Sequence, residues 1–252
     1  MLPKFFKPLV SVKLIRAGSS SDGGYFVPKK VIFKIKNIIS CGLGLDWSFE
    51  KNFQNINKNL RITVYDHTVN YIFLLKDLFQ TLIFCLRYRK NYISIFKIFD
   101  YFLFFRKKNV DHKKLKICKN IKLKNETNLN IILKNLEHVL LKIDIEGDEY
   151  KILDDIISKQ KKIFCLIIEF HTIHKNKIII KKFIKKLKYL KNCNISPNNS
   201  SGFDKNLDPY TVEMIFINKF FLKKKDYKKK INIKALSNNP YKKNFPIKFK
   251  NV

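Results

Sequence analysis

Leu140-Leu-Lys-Ile-Asp-Ile-Glu-Gly-Asp-Glu149 opens as a nearly continuous apolar run from Val139 and closes on carboxylates around a glycine. Continuous apolar character suits a central parallel strand, Val139–Ile143, buried on both faces. Gly147 lets the chain turn into a helix over Asp148–Ser158, where Leu153, Ile156 and Ile157 share one face. Asp144 and Glu146 are thereby delivered to a carboxyl edge, where ligands sit in open α/β sheets. Being two apart, they point the same way if strand geometry persists; alternatively Glu146 holds an amino group of a ligand.

The next strand, Phe164–Phe170, ends in Ile167-Ile-Glu-Phe-His171, so Glu169 and His171 share parity at the same edge. An imidazole with an ordinary pKa near 6.5 suits removal of a proton from a hydroxyl, which makes His171 the candidate general base beside Asp144 and Glu169. A helix-capping or rim histidine is the competing reading. A divalent metal on Asp144, Glu169 and His171 is chemically reasonable, although nothing in the spacing requires one, and no metal is assigned.

Upstream, the strand Asn37–Cys41 runs into Gly42-Leu-Gly44, where missing Cβ atoms let backbone N–H groups approach a ligand. The following strand, Leu60–Tyr65, ends at Asp66, 22 residues beyond Gly44. An acidic residue about 20 positions past a glycine turn accepts hydrogen bonds from ribose hydroxyls in nucleotide-binding folds. Trp47 replaces the third glycine of a dinucleotide fingerprint and Asp46 lies nearby, so a phosphate-free cofactor with a positive sulfonium fits better than NAD.

Further strands are expected at Leu115–Ile117, Asn194–Ser196 and Val212–Ile217. Helices are expected at Ile178–Leu190, with Ile180, Phe183, Ile184, Leu187 and Leu190 inward, and after Thr127 as N-cap. Alternating strands and amphipathic helices favour a largely parallel sheet covered on both faces, in one domain spanning residues 1–252. Asp22-Gly-Gly-Tyr-Phe-Val27 reads as a turn and a short strand.

Residues 70–110 are rich in Phe, Leu, Ile and Tyr, but Lys76, Asp77, Arg87, Arg89, Lys97 and Asp100 break the runs. No clean transmembrane segment results; two helices forming a substrate-side insertion are expected, with an aromatic and basic surface suited to a membrane interface or a lipid-linked substrate. From Phe220 to residue 252 the chain reads as a solvated basic segment, irregular from Pro240 onward. Five scattered cysteines without paired spacing, and an N-terminus without a secretory pattern, point to a cytoplasmic protein.

The formal charge of +32 points to a polyanionic partner such as nucleic acid or an anionic membrane. The lysines are spread along the chain without a zinc finger, helix-turn-helix or RNA-reading signature, which weighs against nucleic acid and agrees with a compositional bias.

Together the motifs Asp22-Gly-Gly-Tyr25, Ser40-Cys-Gly-Leu-Gly44 with Ser48-Phe-Glu50, Asp66-His-Thr68, Leu141-Lys-Ile-Asp-Ile-Glu-Gly147, Ile168-Glu-Phe-His171, and Asn198-Asn199 followed by Val212-Glu-Met214 resemble the FkbM-type methyltransferases. The resemblance runs from about Arg16 to Asn218; Cys41 stands where relatives often carry Phe. It implies a Rossmann-like class I methyltransferase sheet of seven strands and S-adenosylmethionine held by Gly42, Gly44, Asp66, Asp144 and Glu146. It also implies O-methylation of a sugar, a glycan, a lipid-linked acceptor or another small molecule. RNA or protein methylation on the same fold, a non-catalytic basic module and a dehydrogenase are the competing classes.

Overall fold

The computed structural model describes residues 1–88, 96–205, 208–228, 231, 233–244 and 247–250. Arg89 and parts of the expected insertion and basic tail lie outside them, as do the side chains of Cys85 and Arg87. A hairpin of β1 (Leu14–Ala17) and β2 (Tyr25–Pro28) precedes the sheet. The sheet is built from β3 (Asn37–Cys41), β4 (Arg61–Tyr65) and β5 (Val110–Lys113), then, after the short pair β6 (Lys116–Ile117) and β7 (Glu126–Thr127), from β8 (Val139–Ile143), β9 (Ile163–Phe170), β10 (Leu190–Pro197) and β11 (Val212–Asn218). Its order is β10-β11-β9-β8-β3-β4-β5. β11 runs antiparallel to both neighbours and the other pairings are parallel. This is a Rossmann-like, mostly parallel α/β sheet with a single reversed strand.

Two cores explain why the central strands lack polar alternation. Ile38, Leu140 and Ile167 enter one apolar cluster, while Ile39, Leu141 and Ile168 enter the other. Each strand therefore needs apolar residues at odd and even positions alike. Helices α1 (Ser48–Ile56), α2 (Tyr71–Tyr88), α3 (Phe96–Phe105), α4 (Leu129–Ile132), α5 (Leu153–Lys159), α6 (Ile173–Lys186) and α7 (Lys224–Lys228) fill the connections.

Several expectations need correction. Val110–Lys113, not Leu115–Ile117, completes the sheet; only Val110 of that edge strand is buried, so its apolar signal is weak. Lys116–Ile117 pairs instead with Glu126–Thr127, and with Thr127 engaged there the N-cap of α4 is Asn128, whose side chain accepts the Ile131 amide. The helix placed at Ile178–Leu190 spans Ile173–Lys186, and Leu190 opens β10. The one placed at Asp148–Ser158 starts as a 3-10 turn over Asp148–Ile152 and becomes α-helical at Leu153.

β10 is longer than Asn194–Ser196 because its buried polar residues serve other segments. The Asn192 amide donates to Phe6 O, and Ser196 Oγ accepts the Leu236 amide. The basic tail is accordingly not all solvated. Leu236 is buried, Asp226 pairs with Lys30, and Asn199 holds the backbone at Asn238, Asn239 and Lys242.

Candidate functional site

Gly42 ends β3 with φ 89°, in the left-handed region. A Cβ there would lie 1.7 Å from the Asp144 carbonyl oxygen, so two strand ends meet where only glycine fits. Gly44, at φ 56°, borders open space: a Cβ would meet nothing within 4 Å. Both glycines line a cleft of about 610 Å³ at the carboxyl edge of β3, β4 and β8, together with Asp66, Asp144 and Glu146. All five residues expected to contact a cofactor thus converge, in a volume suited to a small molecule.

Asp66 serves the turn before anything else. Its Oδ2 accepts the amides of Leu43 (2.8 Å) and Gly44 (3.2 Å); its Oδ1 accepts the Thr68 amide (2.8 Å), the Thr68 hydroxyl (2.6 Å) and the Val69 amide (3.4 Å). Burial opposes its ionisation, but these hydrogen bonds outweigh burial and hold the carboxyl below its ordinary range. The amides expected to meet a ligand are therefore turned toward this carboxylate, whose acceptor positions are taken up.

Three carboxylates come level on neighbouring strands. Ile143 pairs with Ile168, which brings the next residue, Asp144, alongside Glu169; Glu169 in turn pairs with Glu213 on β11. Glu169 and Glu213 are each 4% exposed. Asn198 Nδ2 donates to Glu169 Oε1 at 2.8 Å, and Tyr25 OH donates to Asp144 Oδ2 at 3.0 Å. Burial, and then the Asp144 charge, push Glu169 up to about 8. Burial, followed by the charges of Glu169 and Asp144, pushes Glu213 well above the carboxylate range.

His171 joins this group. Its amide donates to Glu149 Oε1 at 2.8 Å and its Nδ1 lies 3.3 Å from the same oxygen. Its Nε2 faces Glu146 Oε2 at 3.4 Å and Asp144 Oδ1 at 3.9 Å. Burial works against the imidazolium, but the Glu149 hydrogen bond and the charges of Glu169, Glu149 and Asp144 raise His171 to about 9. The surrounding carboxylates thus hold the imidazole proton more tightly than the ordinary value near 6.5 on which the general-base expectation rests. Strand geometry does not persist past Ile143 either. Glu146 has φ 53° and a side chain 86% exposed, so it does not share a direction with buried-edge neighbours by parity; the turn brings it to His171 from solvent.

The fully buried Glu149 escaped sequence reasoning, although it caps the turn by accepting the Gly147 amide at 2.8 Å and seats His171. Buried Lys142, donating to Gly42 O at 3.1 Å, escaped likewise because one lysine in an apolar strand reads as noise. Tyr25, Asn198 and Glu213 carried a signal chiefly as parts of the resembling blocks; Tyr25 now holds Asp144 and Asn198 holds Glu169.

No family model and no curated protein matches the chain. Solved structures overlap it loosely. A dimethyladenosine transferase from Plasmodium falciparum shares 14% identity and a TM-score of 0.39, covering 78% of this chain and 63% of its own, so this chain spans less than two thirds of that protein. The structure of a fibrillarin/Nop5p complex shares 8% identity at a TM-score of 0.39, over 84% of this chain and 98% of the other. SMU.1697c, a putative methyltransferase from Streptococcus mutans in complex with SAH, shares 12% identity at a TM-score of 0.35, over 72% of this chain and 89% of the other. At such values the overlaps say nothing about substrate.

Proposed function

We propose that the chain transfers the methyl group of S-adenosylmethionine to a hydroxyl of a sugar, a glycan or a lipid-linked acceptor. The observation that carries this reading is the meeting of Gly42, Gly44, Asp66, Asp144 and Glu146 at one cleft on the carboxyl edge of the sheet. The residues suit that cofactor: the carboxylates of Asp46, Asp66, Asp144 and Glu146 border the cleft, which favours a cationic sulfonium over a pyrophosphate. The open space beside Gly44 leaves room for a nucleoside. When bound, the cofactor supplies an electrophilic methyl group on a good leaving group.

The chain's own contribution is placement. Asp66 fixes the glycine turn against the end of β4, and Tyr25 fixes the Asp144 carboxylate at the cleft wall. Asp144, Glu169 and His171 stand at the acceptor end and orient the hydroxyl. Holding the acceptor oxygen in line removes several kcal/mol of barrier, roughly 7 or more in well-oriented systems.

Exposed apolar residues on α2 and on α3, whose Lys97 lines the cleft, favour the lipid-linked acceptor. RNA as acceptor is favoured by the +32 charge alone. Calorimetric titration with S-adenosylmethionine and S-adenosylhomocysteine tests the reading. Micromolar binding is expected for the native chain and is lost in Asp144→Ala and Asp66→Ala; unchanged affinity in both variants sinks the assignment.

A further inference from the structure

We infer that Asp144, Glu169 and His171 form a binding site for a divalent cation of the Mn²⁺ or Mg²⁺ type, a reading that deepens the acceptor end proposed above. One ligand atom from each residue lies within 4.8 Å of the others, near enough for small side-chain movements to bring all three onto one ion.

The supporting contacts set this group apart from a chance gathering of acids. Each residue has one polar atom fixed from outside the group: Asp144 Oδ2 by Tyr25 OH, Glu169 Oε1 by Asn198 Nδ2, and His171 Nδ1 by Glu149 Oε1. An imidazole with one nitrogen on a carboxylate presents the other as a ligand, and this arrangement recurs around metal-binding histidines. Here the other nitrogen, Nε2, faces Asp144 Oδ1 at 3.9 Å and the exposed Glu146 Oε2 at 3.4 Å.

Glu213 is the independent observation. It is 4% exposed, its Oε1 has no hydrogen-bond partner, and it stands opposite Glu169 in register on the same face of the sheet. Nearby cations are engaged elsewhere: Lys142 Nζ donates to Gly42 O and lies 3.8 Å from Glu50, and Arg16 donates to the carbonyls of Ser19 and Ser21. A buried carboxyl that faces two more acidic groups, with one oxygen unpartnered, ionises only at a cost unless positive charge joins the group; without that charge it keeps its proton. A divalent ion supplies that charge, and Asp144, which borders the cleft, gives it a route in and leaves coordination positions facing the acceptor.

The test is titration of the full chain with Mn²⁺, following the free ion by electron paramagnetic resonance. One Mn²⁺ per chain is expected, with affinity weakened about 10-fold or more by Glu169→Gln and by His171→Ala. Asp111→Asn, at an exposed carboxylate on the edge strand, leaves it unchanged. Absence of a site in the native chain up to millimolar Mn²⁺, or equal affinity in Glu169→Gln, His171→Ala and the native chain, overturns the inference. Mn²⁺ binding by a chain that does not bind S-adenosylhomocysteine would sustain the cation site while sinking the methyl-transfer reading.

Discussion

Asp66 shows how one side chain can satisfy a spacing rule and yet do a different first task. The 22-residue interval from Gly44 leads to the right place, the cleft wall, but the carboxylate there is occupied by the turn's own amides. Because hydrogen bonds hold Asp66 below its ordinary value of 3.8, the native chain binds its proton more weakly than the unfolded chain does. Its stabilisation is therefore fully present above that pH and is lost as the pH falls through the depressed native value. Asp66→Asn, which keeps the shape but loses the charge, is expected to lower stability at pH 7 by about 2 kcal/mol, since hydrogen bonds to a charged group contribute about 1.5–3. Urea denaturation from pH 6 to pH 2 should show a shallower acid limb for the variant; parallel limbs would contradict the assignment.

Among the elements, four strands buried on both faces were legible to within one residue. β3 and β8 have the ends read from sequence because apolar runs stop where the polar edge begins. β5 was missed because an edge strand with one buried residue has no such run, and β10 was read short because its buried asparagines and serine look like loop. The cleft residues were legible by position at strand ends; the His171 environment was not, since Glu149 reaches it from a 3-10 turn that no strand parity describes.

α2 poses the functional question at this scale. Ile72, Leu75, Phe79 and Ile83 recur at helical spacing and are exposed, with Ile72 and Phe79 each 66% exposed. Apolar side chains in that arrangement gain free energy by entering a membrane interface, and about 1.5–3 kcal/mol accompanies burial of one large side chain. Phe79→Asp is expected to reduce sedimentation with anionic lipid vesicles by roughly 10-fold or more. Equal sedimentation of the variant and the native chain would remove the membrane from the account.

At the scale of the whole molecule, no described helix is long and apolar enough to cross a membrane. The sheet gathers carboxylates at one edge while lysines cover much of the exterior, a separation that the +32 total hides. The proposed cationic cofactor is expected at that edge even though the net charge opposes it, because interactions within a few ångströms outweigh charges screened over about 8–10 Å.

Backbone hydrogen exchange of the full chain with and without S-adenosylhomocysteine locates that binding directly. Slowed exchange is predicted over Leu43–Asp46, at Thr68 and at Ile145 and Glu146, the backbone bordering the cleft. Protection confined to other surfaces, or none at saturating ligand, would contradict the account.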